Sequence, residues 1–409
     1  MAKVSILDVF LHGRQIGTLT QVGQDRNLFT FTENYLNDSS RPTLSLSFKD
    51  TFGNIITQIP PRQTKIPPFF SNLLPEGYMR EYLAALAGVK PQREFFLLWV
   101  LGRDLPGAIM VQPANGENWP EEDQVQLKDT HHNHEHVLRF SLAGVQLKFS
   151  AVLNATGGLT IPAQGIGGSW IIKLPSAQFD RVPENEFSMM TLAREIGMNI
   201  PECKLYPVKQ IGCLPEGMLQ FGEQALAVKR FDRTDDDLAI HMEDFAQVFN
   251  VYPEDKYTKA SYRNIAQVIW TEMGEQGITE FIQRLVFNTL IGNADMHLKN
   301  WSLIYPDGRT PALAPGYDFV STIPYLPDTT MALKYSRTKQ MTELNMDELR
   351  HLSAKAHLPE AIVLKSAQET VQKFLSLWPN LKSELPLSAA TIKAIEKHYQ
   401  SIPIIKEVR

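Results

Sequence analysis

Gly292 to Tyr305 reads GNADMHLKNWSLIY, a polar knot bounded by two core-forming segments, LVFNTLI before it and WSLIY at its end. An aspartate, a histidine, a lysine and an asparagine therefore lie between runs that must both be buried. Polar and charged groups brought into an interior are costly unless each is paired. A chain with this feature needs a core on both sides of one polar loop, and the loop needs something to hold.

The 409 residues exceed one ordinary core and point to two or three domains or lobes. The apolar fraction of 43% and charged fraction of 21% are those of a globular soluble protein. No apolar run is long enough to cross a bilayer, so no membrane partner is expected. The start, MAKVSILDVFLHGRQIG, lacks the long apolar stretch and small-residue cleavage site of a signal peptide. Two cysteines, Cys203 and Cys213, make neither a disulfide framework nor a zinc set; they read as strand residues, and a cytoplasmic location is expected. A formal charge of -5 argues against a surface that coats nucleic acid unaided.

Residues 1–113 open with strand-like pieces, VSILDVFL, RQIGTLTQ and LFTFTENYL, with a glycine-containing turn in HGRQ. FFSNLLPEGYMREYLAALAGV then reads as helix broken at Pro75-Glu76-Gly77, and REFFLLWVLG as a second short helix. This is a small α/β module. Residues 114–137 form a polar, His-rich linker. Its His131, His132, His134 and His136 read as a solvated loop, because no cysteine is near and a loop rarely supplies the supporting bonds of a metal site. Residues 138–235 hold strand-sized pieces with glycines between them, interrupted by one helix, ENEFSMMTLAREIGM. Residues 236–409 are mainly helical.

Asp295 is followed five positions on by Asn300, the D-x-x-x-x-N spacing of a kinase catalytic loop. There the aspartate orients an attacking hydroxyl and accepts its proton, and the asparagine lends an amide oxygen to magnesium. Lys299 or His297 would offset charge on the transferred phosphoryl group. The spacing alone is common, so its companions carry the reading. Downstream, APGYDFVST sets Asp318 where a kinase has its metal-binding aspartate, with D-F-V for D-F-G and Tyr317 before it. Upstream, GSWIIKLP ends an apolar run on Lys173, whose charge burial disfavours unless an anion such as ATP phosphate or a helix glutamate meets it. FSLAGVQLKFS, residues 140–150, is a polar-small turn whose backbone N–H groups could cover phosphates, although Gly144 is its only glycine. Each feature also has a structural reading: a cap for Asp295 and Asn300, snorkelling for Lys173, an Asx-turn for Asp318. Their order along one chain is that of a kinase.

FSLAGVQLKFS, WIIKLP, ALAVKRFDR, HMEDFAQ, IGNADMHLKNWSL and PGYDFVS together resemble the HipA family of toxin serine/threonine kinases. GTLTQ, LSLSF, SNLLPEG and LGRDLPGAI are similar to that family's small N-terminal subdomain, so the resemblance covers nearly the whole chain. It implies an α+β, bilobal protein-kinase-like fold with a small N-terminal α/β subdomain and a mainly helical C-terminal lobe. It implies ATP and Mg2+ as cofactors, Asp295 as catalytic base, and Asn300 and Asp318 as magnesium ligands. Lys173 would pair with the α- and β-phosphates, and Ala143, Gly144, Val145, Gln146, Leu147 and Lys148 would form the phosphate-covering loop. Lys229, Arg230 and Phe231 would line the adenine, while His297, Lys299 and Tyr317 fall among the nucleotide contacts. The loop reads S-L-A-G-V-Q-L-K where the family pattern is S-I-x-G-x-Q-x-K, a minor departure.

Ser141 matches the family's autophosphorylation serine. A phosphate there would add roughly two negative charges beside those of ATP and shut activity off. The resemblance also implies a small helix-turn-helix (HipB-like) antitoxin, operator DNA met only through that complex, and a protein substrate such as an aminoacyl-tRNA synthetase, notably glutamyl-tRNA synthetase. Two other readings stay open: a nucleotide-binding co-repressor scaffold without transfer activity, and a small-molecule phosphotransferase.

Overall fold

A computed structural model of the chain describes residues 5–23, 25–86, 88–114, 148–153, 159–160, 168–212, 214 and 222–408. Ser141, residues 143–147, the linker histidines and Cys213 lie outside the described residues. The first sheet is antiparallel, in the order β4-β3-β2-β1-β5. Its strands are β1 (Ile6–Leu11), β2 (Arg14–Val22), β3 (Arg26–Phe31), β4 (Arg62–Gln63) and β5 (Ile109–Pro113). In β1 the alternation of ILDVFL buries Leu7, Val9 and Leu11, as a strand with one face on a core requires. The turn into β2 puts His12 and Gly13 at φ 51° and 73°, the positive values a two-residue hairpin of matching twist demands. Short helices Pro68–Ser71 and Gly77–Leu86 stand either side of the Pro75-Glu76-Gly77 break, and Glu94–Leu101 follows. Phe69, Phe70, Phe95 and Leu98 close this module's core against Phe29 of the sheet.

The second sheet runs β7-β6-β8-β10-β9, from β6 (Lys148–Leu153), β7 (Leu159–Thr160), β8 (Trp170–Lys173), β9 (Cys203–Pro207) and β10 (Gln224–Lys229). Cys203 is buried at the start of β9. The helix Val182–Ile196 packs on this sheet through Met189 and Met190, in a cluster that continues without a gap into the helical lobe. That lobe is built on the helical run Tyr262–Ile291, broken at Gly274, and on helices Met346–Ala356, Glu360–Leu381 and Ala389–Gln400. A third sheet, β11 (His241–Asp244), β12 (Ser302–Tyr305) and β13 (Ala312–Leu313), interrupts the helices. Its strands are only four, four and two residues long, too short for alternation to stand out in the sequence.

The polar knot begins where the long helix stops. Gly292 takes φ 70° and its N–H caps the carbonyls of Asn288 and Thr289. A Cβ at this position would lie 2.7 Å from the Ile323 side chain, so both conformation and space call for glycine.

The N-terminal module is seated on β11 and β12. Glu243, fully buried, accepts hydrogen bonds from the Ser45 and Tyr305 hydroxyls and from the Leu46 N–H at 3.0 Å. His241 Nε2 pairs with the Leu44 carbonyl at 2.7 Å. Burial pushes the Glu243 pKa up to about 7, against the pull of the three donors. An acid raised in the folded state stabilises below its unfolded pKa and loses that contribution as pH climbs to its folded value. Thermal unfolding is therefore expected to show a larger loss of Tm between pH 5 and pH 8 for the natural chain than for Glu243→Gln.

Candidate active site

Three segments meet at the ends of β8 and β12. Lys173 closes β8, and its ammonium, 5% exposed, donates to both Glu186 of the Val182–Ile196 helix and Asp318. Lys148, at the start of the neighbouring strand β6, adds a bond to Asp318 at 3.1 Å. Burial works against charge on Lys173, but the Asp318 and Glu186 carboxylates outweigh it and hold its pKa above the usual lysine value. Burial likewise opposes ionisation of Asp318, and Lys148 and Lys173 more than reverse this, keeping it an anion. Glu186 stays raised, because burial exceeds the pull of Lys173. The cluster shares two cations among two carboxylates of unequal acidity.

Asp318 has φ 56°, a left-handed conformation that costs a non-glycine residue energy. Its surroundings enforce it. Asn293, wholly buried, donates to the Asp318 carbonyl at 3.1 Å and accepts the Asp295 N–H at 3.1 Å, tying the two aspartate segments together. Asn185 of the same helix as Glu186 clamps both backbone groups of Ser321 at 2.8 and 3.1 Å. Asn300 Nδ2 donates to the Asp295 carbonyl at 2.8 Å, which leaves its Oδ1 as the atom able to meet a cation. Asp295 is open to solvent on one side, yet burial of the rest raises its pKa; the Tyr257 hydrogen bond draws it down and the Asp318 charge adds to the rise.

Of the other residues singled out in the sequence, those described are His297, Lys299, Tyr317, Lys229, Arg230 and Phe231. His297 is buried beside Tyr257, ring centroids 5.0 Å apart, and burial reinforced by the Lys256 cation pushes it down to about 3, so the imidazole is neutral. Lys299 donates to Glu76 Oε1 at 2.7 Å and to the Asn72 carbonyl at 3.0 Å, which commits it to the N-terminal module. Burial opposes ionisation of Glu76, but Lys299 and Lys256 outweigh it and bring its pKa down to about 2. The Tyr317 hydroxyl donates to the Lys299 carbonyl at 2.7 Å and shares a bond with Ser302, and its ring lies 5.6 Å from Phe231. Lys229, Arg230 and Phe231 line a cavity of about 390 Å³ with Pro201, Glu202 and Pro315. Lys229 pairs with Asp235 at 2.6 Å, and the buried Arg230 guanidinium is held by Asp232 at 2.8 Å and Asp104 at 3.4 Å. Asp232 also accepts the Gly107 N–H at 2.9 Å and a bond from Arg233 at 2.9 Å.

Glu186, Asn293, Tyr257 and Glu76 were not singled out in the sequence. Only the cost of burying Lys173 signalled that a helix carboxylate had to exist. Removing one member of a buried pair leaves the other uncompensated, at about 3–5 kcal/mol, whereas replacing both by apolar groups is often neutral. Lys173→Met is thus expected to destabilise by that amount in chemical denaturation, and Lys173→Met with Glu186→Leu to recover most of it.

With this geometry in hand, the likenesses to known proteins are informative. Residues 7–112 match the HipA N-terminal domain and residues 140–378 the HipA-like C-terminal domain. Y4dM of Sinorhizobium fredii is 54% identical over 410 residues, covering 100% of this chain and 99% of that protein. The serine/threonine-protein kinase toxin HipA of Shewanella oneidensis is 27% identical over 79% of this chain and 77% of its own length. The fold matches a chain of the solved complex of Shewanella oneidensis MR-1 HipA, HipB and operator DNA with a TM-score of 0.74, at 22% identity, covering 98% of this chain and 99% of that one. The fold is accordingly the α+β, bilobal, kinase-like one, and the chain belongs to the HipA family.

Proposed function

We propose that the chain is a toxin kinase that transfers the γ-phosphoryl group of ATP to a serine or threonine hydroxyl of a protein. The observation that carries this reading is the buried Lys173, shared by Glu186 and Asp318 beside the Asp295–Asn300 segment. A lysine on a strand, paired with a helix glutamate and adjoining an aspartate placed to bind metal, is the charge arrangement of a protein-kinase nucleotide site. Asp295 orients the acceptor hydroxyl and takes its proton. Lys173 and Lys148 neutralise phosphate oxygens. Phe231, Lys229 and Arg230 would border the adenine, with the Tyr317 ring 5.6 Å from Phe231.

The donor set suits magnesium. Among the described residues no cluster of three or more His, Cys, Asp or Glu side chains could hold a metal. Magnesium needs fewer protein ligands than that, because it prefers hard oxygens and completes its shell with phosphate oxygens and water. The Asp318 carboxylate and Asn300 Oδ1 would hold it, and when bound it would neutralise charge gathering on the β- and γ-phosphates.

The family likeness supports a small DNA-binding antitoxin as partner, operator DNA reached through it, and an aminoacyl-tRNA synthetase such as glutamyl-tRNA synthetase as target. Phosphorylation of Ser141 would end activity by charge repulsion at the nucleotide. Incubation of the pure chain with labelled ATP and magnesium tests the assignment. Phosphoserine is expected on the natural chain, and Asp295→Asn is expected to lower transfer by roughly 10²–10⁴-fold, the usual worth of a general base, with ATP binding kept. Equal transfer by the variant would remove Asp295 from this role.

A further inference from the structure

Tyr257 lies on the turn between Pro253–Asp255 and the Tyr262–Ile291 helix, and its hydroxyl donates to Asp295 Oδ1 at 2.8 Å. Tyr257 is 38% exposed, so it borders the solvent from which an acceptor must come. It is held from several directions. The His297 ring meets it edge-on at 5.0 Å, the Lys256 ammonium lies 5.5 Å from its centroid, and Lys339 donates to its carbonyl at 3.3 Å. Lys256 is itself bound to Glu76 at 2.8 Å, and Glu76 also takes Lys299 from the loop that carries Asp295. The N-terminal module thereby steadies both sides of the tyrosine–aspartate contact.

A hydroxyl donating to the carboxylate oxygen of a general base stands where an acceptor hydroxyl would stand. We infer that Tyr257 is a specificity-determining residue that holds Asp295 Oδ1 against water and yields only to a protein hydroxyl able to displace it. The inference rests on the assignment of Asp295 as base. Water is the competitor a kinase site must exclude, since it is abundant and small. In the reaction Tyr257 suppresses, the water oxygen bonds to the γ-phosphorus and the bond to the ADP oxygen breaks. Asp295 takes the proton, and the products are ADP and inorganic phosphate. A protein substrate, bound by its own contacts over a larger surface, brings enough interaction to move the tyrosine aside; a lone water does not.

The test uses the full chain with ATP and magnesium and no added acceptor, measuring free inorganic phosphate. Tyr257→Phe keeps the ring and its packing and removes only the hydroxyl. Phosphate release is expected to rise roughly two- to tenfold, the factor one net hydrogen bond is worth, with an unchanged KM for ATP. Unchanged or slower release overturns the inference, as does phosphate found on Tyr257 itself, which would make the ring an acceptor. Asp295→Asn added to Tyr257→Phe should abolish the gain. If release stays high in that double variant, the assignment of the base fails, a result distinct from failure of the guard.

Discussion

The ion pair between Lys173 and Asp318 joins residues 145 positions apart and fixes one lobe against the other. Its cation comes from the end of a strand in the small sheet, its anion from the segment after β13. Burial opposes the charge on Lys173, and Asp318 is the larger of the two carboxylate contributions that offset it. Glu186 from the intervening helix and Lys148 from the adjacent strand then complete the balance. Strand, helix and loop are located by one electrostatic requirement.

The same requirement explains what could be read from the sequence. A lysine closing the apolar run WIIK declared the need for an anion, and the D-x-x-x-x-N spacing declared a loop with an acid and an amide. Strands and helices with clear periodicity, such as ILDVFL and the MREYLAALA segment, were likewise legible. Other positions were not. PENEF offers two glutamates, and nothing in the helical pattern says that Glu186 is the buried one while Glu184 stays near the surface. HMED contains two adjacent acids, and Glu243 is singled out only because Ser45, Leu46 and Tyr305 converge on it from distant parts of the chain. Lys299 belongs to the polar knot by sequence, but its partner Glu76 lies in another module. Pairings of such separation leave no local pattern.

The first module is therefore more than an appendage in physical terms. Its contacts with the larger body are polar and buried: Glu243 with Ser45, His241 with Leu44, Gln247 with the Phe69 carbonyl, Asn72 with the Val251 carbonyl. Each satisfies a group that would be costly if left alone. Two of its residues, Glu76 and Asn72, reach the very loop that carries Asp295 and Asn300.

The knot of Asp104, Arg230, Asp232 and Arg233 has a mechanical consequence. It rivets the connector between the lobes to the Gly107 backbone of the first module. A connector fastened in this way cannot flex freely along its length. The end of β10, where the chain leaves the small sheet, is thereby anchored outside that sheet as well as within it.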